Sequence, residues 1–225
     1  MRAWYYGPTL VQAIDGLVPP SRSFDAPLRY SVTDVVKNAS GHCTLGGTVD
    51  SGTVTAGEQV VIMPVNVLLQ IKGIRLTDGS SVKIALAGEK ADLILAPVSE
   101  PDVLSSGQIV CEPWSPIPLV DSFEAKILTV GLEIPIVKGT EVIMHVGSLD
   151  VPATISKLIA SLNPDGTEDK LKPRCITSQS NAKVRITLSK PMCLDQYTNH
   201  KQFGRFCLRK EGKTIAVGVI TSLSG

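Results

Sequence analysis

The sequence has no apolar run approaching the ~18 residues a bilayer span requires, and its N-terminus lacks the charged-then-apolar pattern of a secretory leader. Both absences point to a soluble, cytoplasmic chain that does not engage a membrane. There is no charge excess either: 22 Lys and Arg stand against 21 Asp and Glu, a formal net charge of +1. Without a bulk positive field, any contact with nucleic acid has to come from a local basic patch. The five cysteines, Cys43, Cys111, Cys175, Cys193 and Cys207, are odd in number, scattered, and form no C-x-x-C pair. That argues against a disulfide framework or a structural zinc and for a reducing compartment, with the thiols packed as small apolar side chains.

Catalytic signatures are missing as well. His42, His145 and His200 lie far apart, and none stands at metal-ligand spacing from a cysteine or carboxylate, so each reads as structural or solvent-exposed. There is no G-x-S-x-G, no H-E-x-x-H, and no G-x-G-x-x-G between a strand and a helix. Gly212, Lys213 and Thr214 spell the end of a phosphate-binding P-loop. That loop needs a second glycine upstream, at the place held by Cys207, and a helix after the threonine, where Ile215 to Val219 reads as strand. The expectation is a β-hairpin turn at Glu211 and Gly212. No catalytic residue or metal ligand is assigned.

What the sequence does contain is β pattern, almost throughout. With 225 residues, 43% of them hydrophobic and 19% charged, the chain can bury two cores of ordinary domain size. One short helix is expected near the start, where Leu10, Val11, Ile14 and Leu17 share a face between Pro8 and the stop at Gly16, Pro19 and Pro20. Trp4, Tyr5 and Tyr6 just before it suggest a surface made to pack against something else. From Leu28 onward, apolar runs are cut repeatedly by Gly, Pro, Asn or Asp. Six strands are expected at 28–35, 43–49, 59–63, 68–76, 90–96 and 108–111, and six more at 123–130, 141–146, 153–162, 182–188, 205–209 and 214–221. Between the two sets, Pro113, Pro116 and Pro118 break ladder hydrogen bonding and mark a connector. Asn163, Pro164, Asp165 and Gly166 signal a tight turn opening a charged, exposed loop through Lys172. The predicted fold is all-β: two consecutive antiparallel β-barrels, at 23–116 and 117–225, behind a linker helix at 1–22.

Several segments resemble translational GTPases. Trp4 to Leu10 resembles the W-Y-x-G-P-T-L that closes the GTPase domain of eukaryotic elongation factor one-alpha, and Pro19 to Arg29 resembles the linker that follows it. Gly204 to Arg209 with Thr214 to Gly218 resembles the G-R-F-x-L-R, T-I-A-x-G block of the third domain. Within that superfamily, Ile134, Pro135, Ile136, Val137, Lys138 and Gly139 are similar to the I-P-I-x-K-G of the HBS-like ribosome-rescue GTPases, a group that Asp34, Val35 and Gly41 also fit. The class II release-factor GTPase shares the final block. Elongation factor one-alpha fits less well, since His42, Cys43, Thr44 and Leu45 replace its G-T-V.

The resemblance covers essentially the whole chain and implies the second and third domains, of elongation-factor domain II and domain III type. A family member of this kind delivers a tRNA-shaped protein to the ribosomal A site. The implied partners are a Pelota-like protein or a class I release factor, small-subunit ribosomal RNA, and the factor's own GTPase domain. GTP and magnesium belong with that missing domain, so the chain itself is expected to be a non-catalytic, cofactor-free and monomeric binding module.

Two sets of residues carry the binding expectation. In the second barrel, Arg205 and Arg209 face away from Phe206 and Leu208, with Phe203 as an apolar anchor or core plug beside them and Arg174 after the charged loop. Their alternative is pairing within their own domain. In the first barrel, Gly46 to Gly52 reads as a glycine-rich turn whose family counterpart faces the small subunit. Gly47 and Thr48 lie on it, with Lys37 and Asn38 on a neighbouring loop and Lys72 and Arg75 as supplementary cations.

Overall fold

The structure, a computed structural model, describes residues 6–18, 21–37, 43–98 and 100–224. Trp4, Tyr5, Pro19, Pro20, Asn38, Gly41 and His42 lie outside the described residues. The N-terminal helix α1 (Leu10–Asp15) is capped by Thr9, whose side chain accepts from the Gln12 N–H while Gln12 reaches back to the Thr9 N–H. No residue of α1 is buried. Among the described residues no helix is long and apolar enough to cross a membrane.

The first barrel uses nine strands: β1 (Arg29–Lys37), β2 (Cys43–Ser51), β3 (Thr53–Thr55), β4 (Gln59–Met63), β5 (Val67–Leu76), β6 (Ser81–Val82), β7 (Ile84–Leu86), β8 (Lys90–Leu95) and β9 (Ile109–Cys111). Pairing runs β4-β9-β1-β2-β8-β5 and closes through β4–β5, giving six antiparallel staves, with β6 appended and β3–β7 a separate ribbon. The second uses β10 (Leu119–Thr129), β11 (Thr140–Val146), β12 (Leu149–Leu162), β13 (Glu168–Leu171), β14 (Asn181–Cys193), β15 (Arg205–Lys210) and β16 (Lys213–Ser224). Its order β11-β15-β16-β10-β14-β12 closes through β11–β12, again with six staves, and β13 hangs on β12. These twelve staves are the twelve strands expected from the sequence.

Alternation fills each barrel. Along β8, Ala91, Leu93 and Leu95 point inward, and along β14, Ala182, Val184, Ile186 and Leu188 do the same, as period-2 geometry requires. In the second core Phe123 and Phe206 meet edge to face, with ring centroids 5.5 Å apart and planes at 71°. Gly218 makes that possible, because a Cβ there would come within 2.6 Å of the Phe206 ring.

In the first core Tyr30 is fully buried and donates from its hydroxyl to two backbone carbonyls, Leu45 at 2.7 Å and Ala91 at 2.6 Å. Burial, reinforced by the Asp92 charge, raises its pKa and keeps it a donor. The Tyr30 ring lies against Gly47. This corrects the glycine-rich turn expected there: Gly46 to Ser51 form the body of β2, paired to β1 on one side, with Gly46, Gly47 and Thr48 also paired to β8 on the other. Only Gly52 turns, with φ of 73°. Gly47 is a glycine because a side chain would collide with the Ser31 carbonyl oxygen and come within 2.8 Å of the Tyr30 ring.

The two barrels meet along a seam. Val61, Ile109 and Cys111 of the first barrel, Ile117 of the connector, and Cys193 and Phe203 of the second form one apolar cluster. Gln202 donates to Asp50 across the seam at 2.8 Å, and Ser31 holds the other Asp50 oxygen. Leu149 of the second barrel sits on Gly107 of the first so closely that no Cβ fits between them. Arg29, 3% exposed, clamps the connector by donating to the Ser115 carbonyl at 2.7 Å and to the Leu28 carbonyl at 2.9 Å. The loop carrying Phe203 is itself braced by Asp195, which accepts from Asn199 at 3.0 Å and pairs with His200 Nδ1 at 2.7 Å. The expected burial of the thiols holds for Cys43, Cys111 and Cys193. It fails for Cys175, which is exposed on the loop after β13, and for Cys207, which is only half-buried on β15.

Candidate functional site

Strand β15 alternates as its sequence implies: Phe206 and Leu208 are buried, while Arg205, Cys207 and Arg209 face outward. Register extends this outer face across the barrel. Cys207 lies opposite Val217 on β16, Val217 opposite Leu128 on β10, and on the other side Cys207 lies opposite His145 on β11. The next level along holds Arg205, Val219 and Lys126 in the same order of strands. Together these rows line an open groove of about 710 Å³, which Asn163 and Gly166 of the β12–β13 turn also line. Leu128 and Val217 remain 44% and 43% exposed at positions where a strand usually turns a polar side chain to water. Neither Arg205 nor Lys126 has a carboxylate partner among the described residues. An apolar floor beneath two free cations suits the carboxylate-bearing amphipathic surface of another protein.

The other sequence-predicted residues are distributed differently. Arg209 donates to the Gly212 carbonyl at 2.6 Å and so braces its own hairpin. In that hairpin Glu211 and Gly212 have φ of 50° and 79°, confirming a turn where a P-loop ending was spelled, and Lys213 pairs with Glu133 at 2.5 Å. Phe203 is 6% exposed in the seam, so it plugs the joint between barrels instead of anchoring a partner. Arg174 is exposed beside Lys170 and Lys172 in a separate hollow and does not share the groove with Arg205.

In the first barrel, Lys37 ends β1 and pairs with Asp102 at 3.2 Å. Gly47 and Thr48 are mid-strand, Lys72 and Arg75 point outward from β5, and Arg75 stands opposite Asp92. Asn38 lies outside the described residues. The basic positions therefore lie on β1 and β5, separated by β2 and β8, and not on one loop.

Sequence reasoning missed Lys126, Leu128, His145 and Val217 as parts of one surface. The available signal was the phase of β10 and β16, which puts Leu128 and Val217 on the wet side. Closure of the sheet, which brings them beside Cys207, is a long-range fact no local pattern carries. On α1, Leu10, Val11 and Ile14 form a second exposed apolar face, all more than half exposed.

Comparison with known proteins fits this architecture. Residues 122–221, the second barrel, match the family described as GTP-eEF1A C-terminal domain-like. Over 98% of its length the chain is 32% identical to Protein HBS1 of Drosophila melanogaster, 29% to Elongation factor 1-alpha of Saccharolobus solfataricus, and 28% to the eukaryotic peptide chain release factor GTP-binding subunit of Kluyveromyces lactis. It covers 33%, 50% and 31% of those proteins respectively, so it spans between about a third and a half of their lengths. The fold superposes on sup35 complexed with GDP at a TM-score of 0.82 over 99% of this chain and 53% of that one, at 23% identity. Two closed six-stave barrels in tandem, joined by an arginine-clamped connector, thus form a chain similar over 98% of its length to parts of the HBS1, release-factor and elongation-factor proteins, with its second barrel matching the GTP-eEF1A C-terminal domain-like family.

Proposed function

We propose that this chain is the two-barrel region of a ribosome-rescue factor, serving in surveillance of stalled messenger RNA by carrying a Pelota-like, tRNA-shaped protein to the ribosome. The observation that carries the reading is the groove on the second barrel, where Arg205 and Lys126 stand unpaired over the apolar row of Leu128 and Val217. Such a wall receives a folded protein with an acidic, amphipathic face better than a bare nucleic-acid backbone, because its lining is mostly apolar. The 32% identity to Protein HBS1 supports the rescue reading over its neighbours.

In this scheme the first barrel approaches small-subunit RNA through Lys37, Lys72 and Arg75, with Thr48 on the adjoining strand. The exposed face of α1 packs on a GTPase domain that holds GTP and magnesium, and the two barrels break no bonds themselves. The chain acts in the cytoplasm as a monomer until it meets its partner.

Purified chain titrated with a Pelota-like protein and, separately, with a class I release factor tests the proposal. Tight binding of the first is expected, weakened on the order of tenfold or more by Lys126→Glu together with Arg205→Glu. Binding of the release factor alone would shift the assignment to termination, the reading favoured by the similarity to the release-factor subunit. Salt-dependent retention of aminoacylated tRNA on a filter would move it to elongation.

A further inference from the structure

The docking reading makes no use of the chemistry at the end of the groove floor. Three neighbouring strands set Cys207 of β15, His145 of β11 and Asp150 of β12 side by side: Cys207 lies opposite His145, and His145 lies opposite Asp150. All three side chains are on the outer wall, because Phe206, Leu208, Met144, Val146 and Val151 on either side of them are buried. Directly opposed residues on antiparallel strands have Cβ atoms about 4.5 to 5.5 Å apart, within side-chain reach. No hydrogen bond joins the three in this structure; in that order a thiol, an imidazole and a carboxylate supply a nucleophile, a proton acceptor and an orienting group once side-chain rotation brings them into contact. One level along the groove stand the free cations Arg205 and Lys126.

We propose that Cys207 is a thiol-exchange site, selective for acidic disulfides of the glutathione class. His145 takes the proton from the Cys207 thiol. The thiolate then attacks one sulfur of the bound disulfide in line with its S–S bond. That bond breaks as the new one to Cys207 forms, and the departing thiolate leaves with the proton held by His145. Two electrons pass from the Cys207 sulfur to the incoming disulfide, which is itself the oxidant. Arg205 and Lys126 meet the carboxylates of the peptide disulfide, and an open groove of about 710 Å³ is of the size that holds a ligand of peptide dimensions.

The other thiols are differently placed. Burial pushes the Cys111 thiol up, and burial with Cys111 as neighbour pushes Cys193 up to about 12, so both stay protonated in the seam. Cys43 is buried and raised in the same direction by desolvation. Cys175 is exposed near Lys172 and Arg174 but has no imidazole in its hollow, which makes it an internal control.

The test is incubation of the whole chain with glutathione disulfide at neutral pH, with peptide mass spectrometry following Cys207 and Cys175 separately. Cys207 is expected to gain a glutathionyl group on the order of tenfold faster than Cys175. Replacing His145 by Gln should slow Cys207 by a similar factor towards both glutathione disulfide and the cationic disulfide cystamine. Lys126→Glu with Arg205→Glu should slow only the acidic disulfide, and circular dichroism melting checks that each variant remains folded. Labelling of Cys175 ahead of Cys207, indifference to His145→Gln, or equal losses with both disulfides on charge reversal would each overturn the assignment. None of these readouts involves a protein partner, so the result stands apart from that of the docking titration.

Discussion

Gly47 shows how little room the first core leaves. Its α-carbon lies under the Tyr30 ring, and the hydroxyl of that ring ties β1 to β2 and β8 through the Leu45 and Ala91 carbonyls. Gly47→Ala should therefore cost about 2 kcal/mol or more in urea denaturation, because Tyr30 has to leave its site to admit one methyl group. On the second barrel, Glu124 accepts from Arg185 at 2.8 Å and Lys183 at 3.0 Å, and these hydrogen bonds hold its carboxyl below the usual range. A depressed folded-state pKa means stability that is present above the ordinary glutamate value and lost as pH falls through the lowered one. Melting temperature measured against pH should thus separate the parent from Glu124→Gln at neutral pH, with the gap closing in acid. A gap independent of pH would show that the pair contributes no charge-linked stability. The outward turn of Arg205 and the inward turn of Phe206 were readable from alternation alone. Gly47 was misread because a glycine that opens a turn and one that admits a neighbouring ring look identical in a sequence.

At the level of elements, eleven of the twelve barrel staves were legible as runs of five or more residues with recurring apolar side chains, and the three-residue β9 was legible only as the apolar Ile109, Val110 and Cys111 between Gly107 and the prolines. The four unread strands, β3, β6, β7 and β13, are two to four residues long, too short for any period to show. The connector 112–118 was legible from its prolines, but what fixes it was not. Arg29, far away in sequence, reaches Ser115 from the first position of β1. Arg29→Met should remove two buried charge-assisted hydrogen bonds and lower stability by about 2 kcal/mol. Limited proteolysis should then cut near the exposed Trp114 faster than in the parent. Unchanged cleavage would mean the prolines alone hold the segment.

For the whole molecule, the seam decides whether two barrels behave as one body. Phe203 is its largest single plug, and Phe203→Ala should cost about 3 kcal/mol. Calorimetry should resolve two unfolding transitions where the parent gives one, because the apolar cluster joining the barrels loses its centre. A variant that still melts in a single step would show that Leu149 on Gly107 and the Gln202–Asp50 bond suffice. The seam was invisible in the sequence for a plain reason: Phe203 beside Arg205 has the composition of an external anchor, and only the path of the loop braced by Asp195 turns it inward.

Closure of both sheets also governs how copies of the chain meet one another. With β4 joined to β5 and β11 to β12, the accessory strands outside the two cylinders run to no more than four residues, and the longest, β13, displays Glu168, Asp169 and Lys170. A foreign strand seeking to extend these sheets finds a short, charged ledge in place of a template, so concentrated solutions should resist fibre growth for as long as the cylinders stay shut.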